Sequence, residues 1–207
     1  MKKYSELFVY LVMLYITSIL VANVAAFKIV GISSITVTAG TLVFPISYIL
    51  GDVFSEIYGF RTTRKIILGG FVSNALMVFI FFLAIKMPYP EYFTNQEAFA
   101  TVLGSTPRIF LAGVIAYLIG SLSNSYIMNW IKDNSKIKYL WFRTITSTIV
   151  GEAIDSIIFL SISFIGTIPN KALIEMIVCQ ALVKIIFEVI MTPVTYKVIN
   201  FMKKKEL

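Results

Sequence analysis

The chain contains no histidine and one cysteine, Cys179. Those absences remove disulfide frameworks, histidine relays and the usual zinc and Cys-His sites, because each needs residues that are not there. A Gly-x-x-x-x-Gly-Lys phosphate loop is also missing, so the chain is not expected to hydrolyse ATP itself. Charge is scarce as well. Only 14% of the 207 residues are charged, 58% are hydrophobic and the mean hydropathy is +0.86. Water-soluble domains run nearer a quarter charged, and eighteen basic plus eleven acidic side chains cannot cover so apolar a chain. The composition predicts an all-α, polytopic membrane protein with no metal, cofactor or catalytic group, forming one transmembrane domain over residues 1–207.

A bilayer core needs about 20 mainly apolar residues per helix. Six stretches satisfy this: Tyr4 to Phe27, Thr36 to Tyr58, Thr62 to Met87, Arg108 to Ile131, Arg143 to Ile165 and Ala172 to Phe201. Basic residues concentrate on the cytoplasmic side of membrane proteins. With both termini inside, the inner joints hold Lys2, Lys3, Arg61, Arg64, Lys65, Lys132, Lys136, Lys138, Arg143, Lys197, Lys203, Lys204 and Lys205, whereas the outer joints hold only Lys28, Lys86, Arg108 and Lys171. That bias sets the expected orientation and accounts for the net charge of +7 by attraction to anionic lipid. Nucleic acid is not called for. In the outer loop 88–107, Thr94-Asn95-Gln96-Glu97 predicts an N-capped short helix ending before Gly104, lying on the membrane surface or lidding a cavity.

Asp52, Glu56, Glu152, Asp155, Lys184 and Glu188 fall inside apolar spans, where an ionised side chain costs roughly 3 kcal/mol by insertion scales. At about 1.5 Å per residue, Asp52, Glu152 and Lys184 each lie on the order of 10 Å from the inner end of their spans. Spacings of four (Asp52/Glu56 and Lys184/Glu188) and three (Glu152/Asp155) put each pair on one helix face, so one cavity could collect them all. Alternatively, Lys184 and Glu188 could pair with each other, and Glu56 could be solvated at the interface. Five carboxylates against one ammonium favour a cationic or donor-rich guest.

Four amides share these spans: Asn23, Asn74, Asn124 and Gln180. Such amides often act as interhelical glue, but Gln180 extends the Lys184/Glu188 stripe. Ala112, Ala116 and Gly120, with Ser147 and Gly151, mark expected close-packed seams. Pro45 is expected to open the backbone within the second span, flanked by Phe44 and Tyr48, which could stack on a flat ring. The acidic middle helices of the two halves (Gly51-Asp52 with Glu56, Gly151-Glu152 with Asp155) hint at a 3+3 inverted repeat.

The run Ala39-Gly40-Thr41-Leu42-Val43-Phe44-Pro45-Ile46-Ser47-Tyr48-Ile49-Leu50-Gly51-Asp52-Val53-Phe54-Ser55-Glu56-Ile57-Tyr58-Gly59-Phe60-Arg61 resembles the signature of the queuosine precursor transporter family, formerly called vitamin uptake transporters. Ser105-Thr106-Pro107-Arg108-Ile109 and Gly151-Glu152-Ala153-Ile154-Asp155-Ser156 extend the resemblance over nearly the whole chain. It implies a six-helix bacterial inner-membrane importer of 7-deazaguanines for tRNA modification. One departure is Asn124, near a position where members often carry an acidic residue. The expected partners are a purine-like small molecule and membrane lipid, with a homodimer left open. A rival class is the substrate-binding subunit of an energy-coupling-factor importer, which would dock a coupling module through small residues such as Ala22 and Ala26. An intramembrane aspartyl hydrolase fits poorly, because Ile49 stands where its Gly-x-Gly-Asp motif needs glycine.

Overall fold

The computed structural model describes residues 5–134 and 140–206. Lys2, Lys3, Lys136 and Lys138, counted above for orientation, and Tyr4 of the first expected span lie outside them. Helix α1, Glu6–Ala25, begins where the Ser5 hydroxyl accepts the Phe8 amide at 3.0 Å, the usual way to satisfy an orphan N–H at a helix start. Strands β1, Ile29–Ile32, and β2, Ile35–Thr38, then pair as a hairpin whose turn holds Ser33 at φ 55°. A short 3-10 turn, Ala39–Leu42, leads into α2, Phe44–Val53, and a π turn, Phe54–Tyr58. There follow α3, Phe60–Lys86; α4, Gln96–Leu103; α5, Thr106–Asn134; α6, Leu140–Phe164; and α7, Asn170–Glu206, with Pro193 inside it.

Five of the six expected spans correspond to long helices. The second does not: the helix expected from Thr36 begins only at Phe44. The β-branched run Ile35-Thr36-Val37-Thr38 is stiff at χ1 and pairs as a strand instead, so the class is all-α with one small hairpin. Pro45 also differs from expectation. It sits in the first turn of α2, where no helical N–H is required of it, so it starts a helix rather than opening one. In the outer loop α4 forms as expected, but its N-cap is Asn95 and no side-chain capping bond forms; Gln96 Nε2 instead donates to the Ile85 carbonyl at 3.1 Å, tying α4 to the end of α3. Four helical stretches are long and apolar enough to cross a membrane: Glu6–Ala25, Phe60–Lys86, Gln96–Asn124 and Ile145–Phe164.

Two compact units emerge. The first comprises 1–29, 38–107 and 187–207; the second comprises 30–37 and 108–186. In the first, Phe54 is fully buried between Phe8 and Tyr15, with ring centroids 6.1 and 5.7 Å away in edge-on geometry, and Val53 packs on Ile199 and Met202 near the end of α7. Gly59, at φ 77°, turns the chain from the π segment into α3, a left-handed conformation that favours glycine. In the second unit, α5 and α6 run along a close seam. Arg108 at the start of α5 donates through Nε to the Ile162 carbonyl at 2.5 Å and through Nη2 to the Ile165 carbonyl at 2.6 Å, holding the last turn of α6. Farther along, a methyl group on Gly151 would lie 2.9 Å from the Asn124 Cβ, and one on Gly120 would lie 3.1 Å from the Asp155 Cβ. Ala112 and Ala116, between those anchor points on α5, are buried, as small residues at a membrane seam should be.

Candidate functional site

In the second unit, the glycine contact that lets α5 approach α6 also fixes where the polar groups stand. Asp155 rests against Gly120 and Asn124 against Gly151. Helix α7 turns a buried face to this unit, made of Leu173, Met176, Gln180 and Lys184, at the three- and four-residue spacing of one helix face. The Lys184 ammonium donates to Asp155 Oδ2 and lies 3.3 Å from Glu152 Oε2. Its side chain is 9% exposed, that of Glu152 16% and that of Asp155 23%. Two carboxylates thus share one ammonium, leaving one formal negative charge where screening is weak. Such a centre holds a cation, or a group with several N–H donors, far better than an apolar guest. The expected carboxylates of α6, Glu152 and Asp155, therefore meet the expected lysine of α7, Lys184.

The remaining expected residues fall in the first unit. Asp52 is exposed, because the buried neighbours Val53 and Phe54 pin the turn and leave it outward. Glu56, in the π turn, accepts from Lys203 Nζ at 2.5 Å, and both side chains are about half exposed. Asn23 Nδ2 donates to Asn74 Oδ1 at 2.9 Å, joining α1 to α3 in a buried amide pair. Phe44 and Tyr48 lie one turn apart with ring centroids 5.3 Å apart and planes tilted by 36°. Together with Pro45, Ile49, Phe187, Glu188 and Met191 they line a shallow hollow. The hollow has room for no more than about one water molecule and is walled by apolar atoms, so it is too small to seat a purine-sized ring as it stands.

Reading the sequence alone passes over Lys203 as a partner of Glu56, and over Ser156 and Ser163. The latter could have been noticed from their spacing of four and eleven after Glu152, which keeps them on its face of α6.

A mainly helical membrane chain that gathers two partly buried carboxylates around a buried ammonium fits the class of proteins that handle a polar solute within the bilayer. The profile of the family described as "Putative vitamin uptake transporter" matches residues 38–198, and the chain belongs to that family, the queuosine precursor transporters. It is similar to a "Probable queuosine precursor transporter" of Bacillus subtilis (strain 168), 25% identical over 176 residues that cover 84% of this chain and 77% of that protein. A protein of the same description from Haemophilus influenzae (strain ATCC 51907 / DSM 11121 / KW20 / Rd) is 27% identical over 130 residues, 61% of this chain and 52% of that one. No solved structure matches the chain.

Proposed function

We propose that this protein imports queuosine precursors, 7-deazaguanines such as the cyano and aminomethyl bases or queuine, across the bacterial inner membrane to supply tRNA modification. In this reading six spans cross the bilayer, both termini are cytoplasmic and the two halves form an inverted repeat. The observation that carries the proposal is the Lys184 centre with its two carboxylates. A deazaguanine presents N1–H and a 2-amino group side by side, a donor pair that one carboxylate accepts through two hydrogen bonds. Asp155 is suited to that edge, and Lys184 or Gln180 can donate to O6. An aminomethyl substituent adds a positive charge for Glu152.

The energy-coupling-factor alternative loses support from the packing of α1. A methyl group on Gly40 would lie 2.7 Å from the Ala22 carbonyl oxygen and 3.3 Å from the Ala26 Cβ, so the small-residue face a coupling module would need already packs against the chain's own Gly40. Uptake of labelled 7-cyano-7-deazaguanine in cells expressing Asp155→Asn and Lys184→Ala variants that reach the membrane tests the site. Strong loss in both is expected; near-normal transport by both would remove it.

A further inference from the structure

Helix α6 carries a line of polar atoms that runs from Glu152 to two serines that substrate binding does not use. Glu152, Ser156 and Ser163 fall within about 40° of one another around the helix and span roughly 16 Å of its axis. Glu152 Oε2 is enclosed and faces the Lys184 ammonium at 3.3 Å, whereas Ser156 Oγ and Ser163 Oγ are enclosed and have no hydrogen-bond partner among the described residues. Ser156 is 0% exposed and Ser163 5%. A serine within a helix ordinarily returns its hydroxyl to the carbonyl four residues back, as Ser18 does to Leu14 at 2.8 Å. Two enclosed serines on one face that do not, in line with the Glu152 carboxylate, mark places where ordered water belongs.

We propose that this face of α6 is a proton path, in which a file of water runs from the Phe164 end past Ser163 and Ser156 to the Glu152 carboxylate, and that one proton is carried with each substrate. The proposal rests on the reading of the Lys184 centre as the substrate site. A proton enters from water at the Phe164 end, the outer end in the proposed orientation. Each hydroxyl accepts one proton and releases another, and Glu152 becomes a neutral acid. It returns the proton to the cytoplasmic side as the substrate leaves. While Glu152 is neutral, Lys184 and Asp155 balance one another, so the loaded centre gains no net charge from a neutral base.

Among the described residues, the charged groups facing Glu152 in this unit are Lys184 on α7 and Asp155 on α6; α5 brings Asn124 to the same level, and the hairpin residues 30–37 carry no charge. At the mouth, the Arg108 guanidinium is met by two carbonyls at the negative end of α6. Sodium fits less well. Two hydroxyls about 10 Å apart along the axis cannot both coordinate one ion, whereas water between them can relay a proton.

Purified protein in liposomes, supplied with labelled 7-cyano-7-deazaguanine, tests this. An outside-acid pH gradient is expected to drive accumulation that a protonophore abolishes. Ser156→Val and Ser163→Val should slow that accumulation about a hundredfold, the low end of what a positioned proton-transfer group contributes, while binding in detergent and counterflow exchange stay unchanged. Thr at either position keeps the hydroxyl and should restore the response. Accumulation driven by sodium, indifference to both gradients, or a full pH response in both Val variants would overturn the path while leaving the transporter reading intact. Absence of binding and counterflow in the unaltered protein would instead overturn the transporter reading. The path is then read without substrate, from the infrared carboxyl band assigned by Glu152→Gln after a pH jump: a slower response in Ser163→Val supports it, and an unchanged one ends it.

Discussion

Helix α7 carries two lysines that each meet a carboxylate, and they sit in opposite environments. Lys184 is 9% exposed and shared by Glu152 and Asp155 on α6; Lys203 is 40% exposed and meets only Glu56, itself 52% exposed. The chemistry of the pairs is the same and the surroundings are not. In a low-dielectric interior the charges interact strongly and each would be costly alone, whereas near water the attraction is screened and the gain is small. A fold that needed only to fasten helices could use apolar packing at the buried position. Keeping three charges there is consistent with the proposed substrate, while Lys203 and Glu56 join the π turn to the end of α7.

The sharpest way to break this contrast is Lys184→Ala. Removing one partner of a buried ion pair typically costs about 3–5 kcal/mol, and here it would leave Glu152 and Asp155 facing each other without a cation. A large fall in the unfolding midpoint in detergent is expected, together with loss of uptake. Adding Glu152→Gln and Asp155→Asn to Lys184→Ala should recover much of the thermal stability, since no charge is then stranded, without recovering uptake. Recovery of both would assign the centre to stability alone.

Next in size is Gly151→Ala. The new methyl group would meet the Asn124 Cβ at 2.9 Å and the Gly120 carbonyl oxygen at 3.2 Å, so α5 and α6 must separate. Overpacking of this kind costs about 1–3 kcal/mol, and the shift would also loosen Asp155 beside Gly120. Gly113→Ala on the same α5 helix is the control, because nothing lies within 4 Å of its added methyl. Equal behaviour of the two in thermal unfolding and uptake would show that the seam does not position the site.

These two regions were not equally legible in the sequence. The Lys184 centre was visible because an intramembrane charge is costly enough to stand out, and counting residues from the span ends brought α6 and α7 to one level. The seam was visible too, as Ala112, Ala116, Gly120 and Gly151. Which carboxylate pairs with which lysine was not legible: Lys184 has Glu188 one turn away on its own helix, and only the packing of α7 on α6 brings Asp155 and Glu152 within reach. The hairpin at residues 29–38 was hidden for another reason, since a short apolar run reads equally well as the start of a membrane helix. Lys203 was counted as a topology charge. Nothing local announces a partner 147 residues away.

A smaller effect is expected from Asn23→Leu. The Asn23–Asn74 bond is buried, but hydrogen bonds between membrane helices average about 0.6 kcal/mol. The single variant should therefore lower the unfolding midpoint slightly, and Asn23→Leu with Asn74→Leu should lower it no further than the worse single change. Uptake retained in the double variant would confine the amide pair to fastening α1 to α3. A loss of uptake out of proportion to stability would return both amides to the substrate.

The smallest effect belongs to Lys203→Ala, the other side of the opening contrast. An exposed ion pair contributes about 0–1 kcal/mol and is screened by salt, so the variant should unfold close to the parent, with any difference at low salt vanishing as ionic strength rises. Val53 and Phe54 are buried against Ile199, Met202, Phe8 and Tyr15, so apolar packing keeps the π turn in place when the pair is lost. A drop as large as that of Lys184→Ala, or one insensitive to salt, would mean that Glu56 is held in a dry environment after all. It would then have to be counted with Glu152 and Asp155 as a carboxylate awaiting a guest.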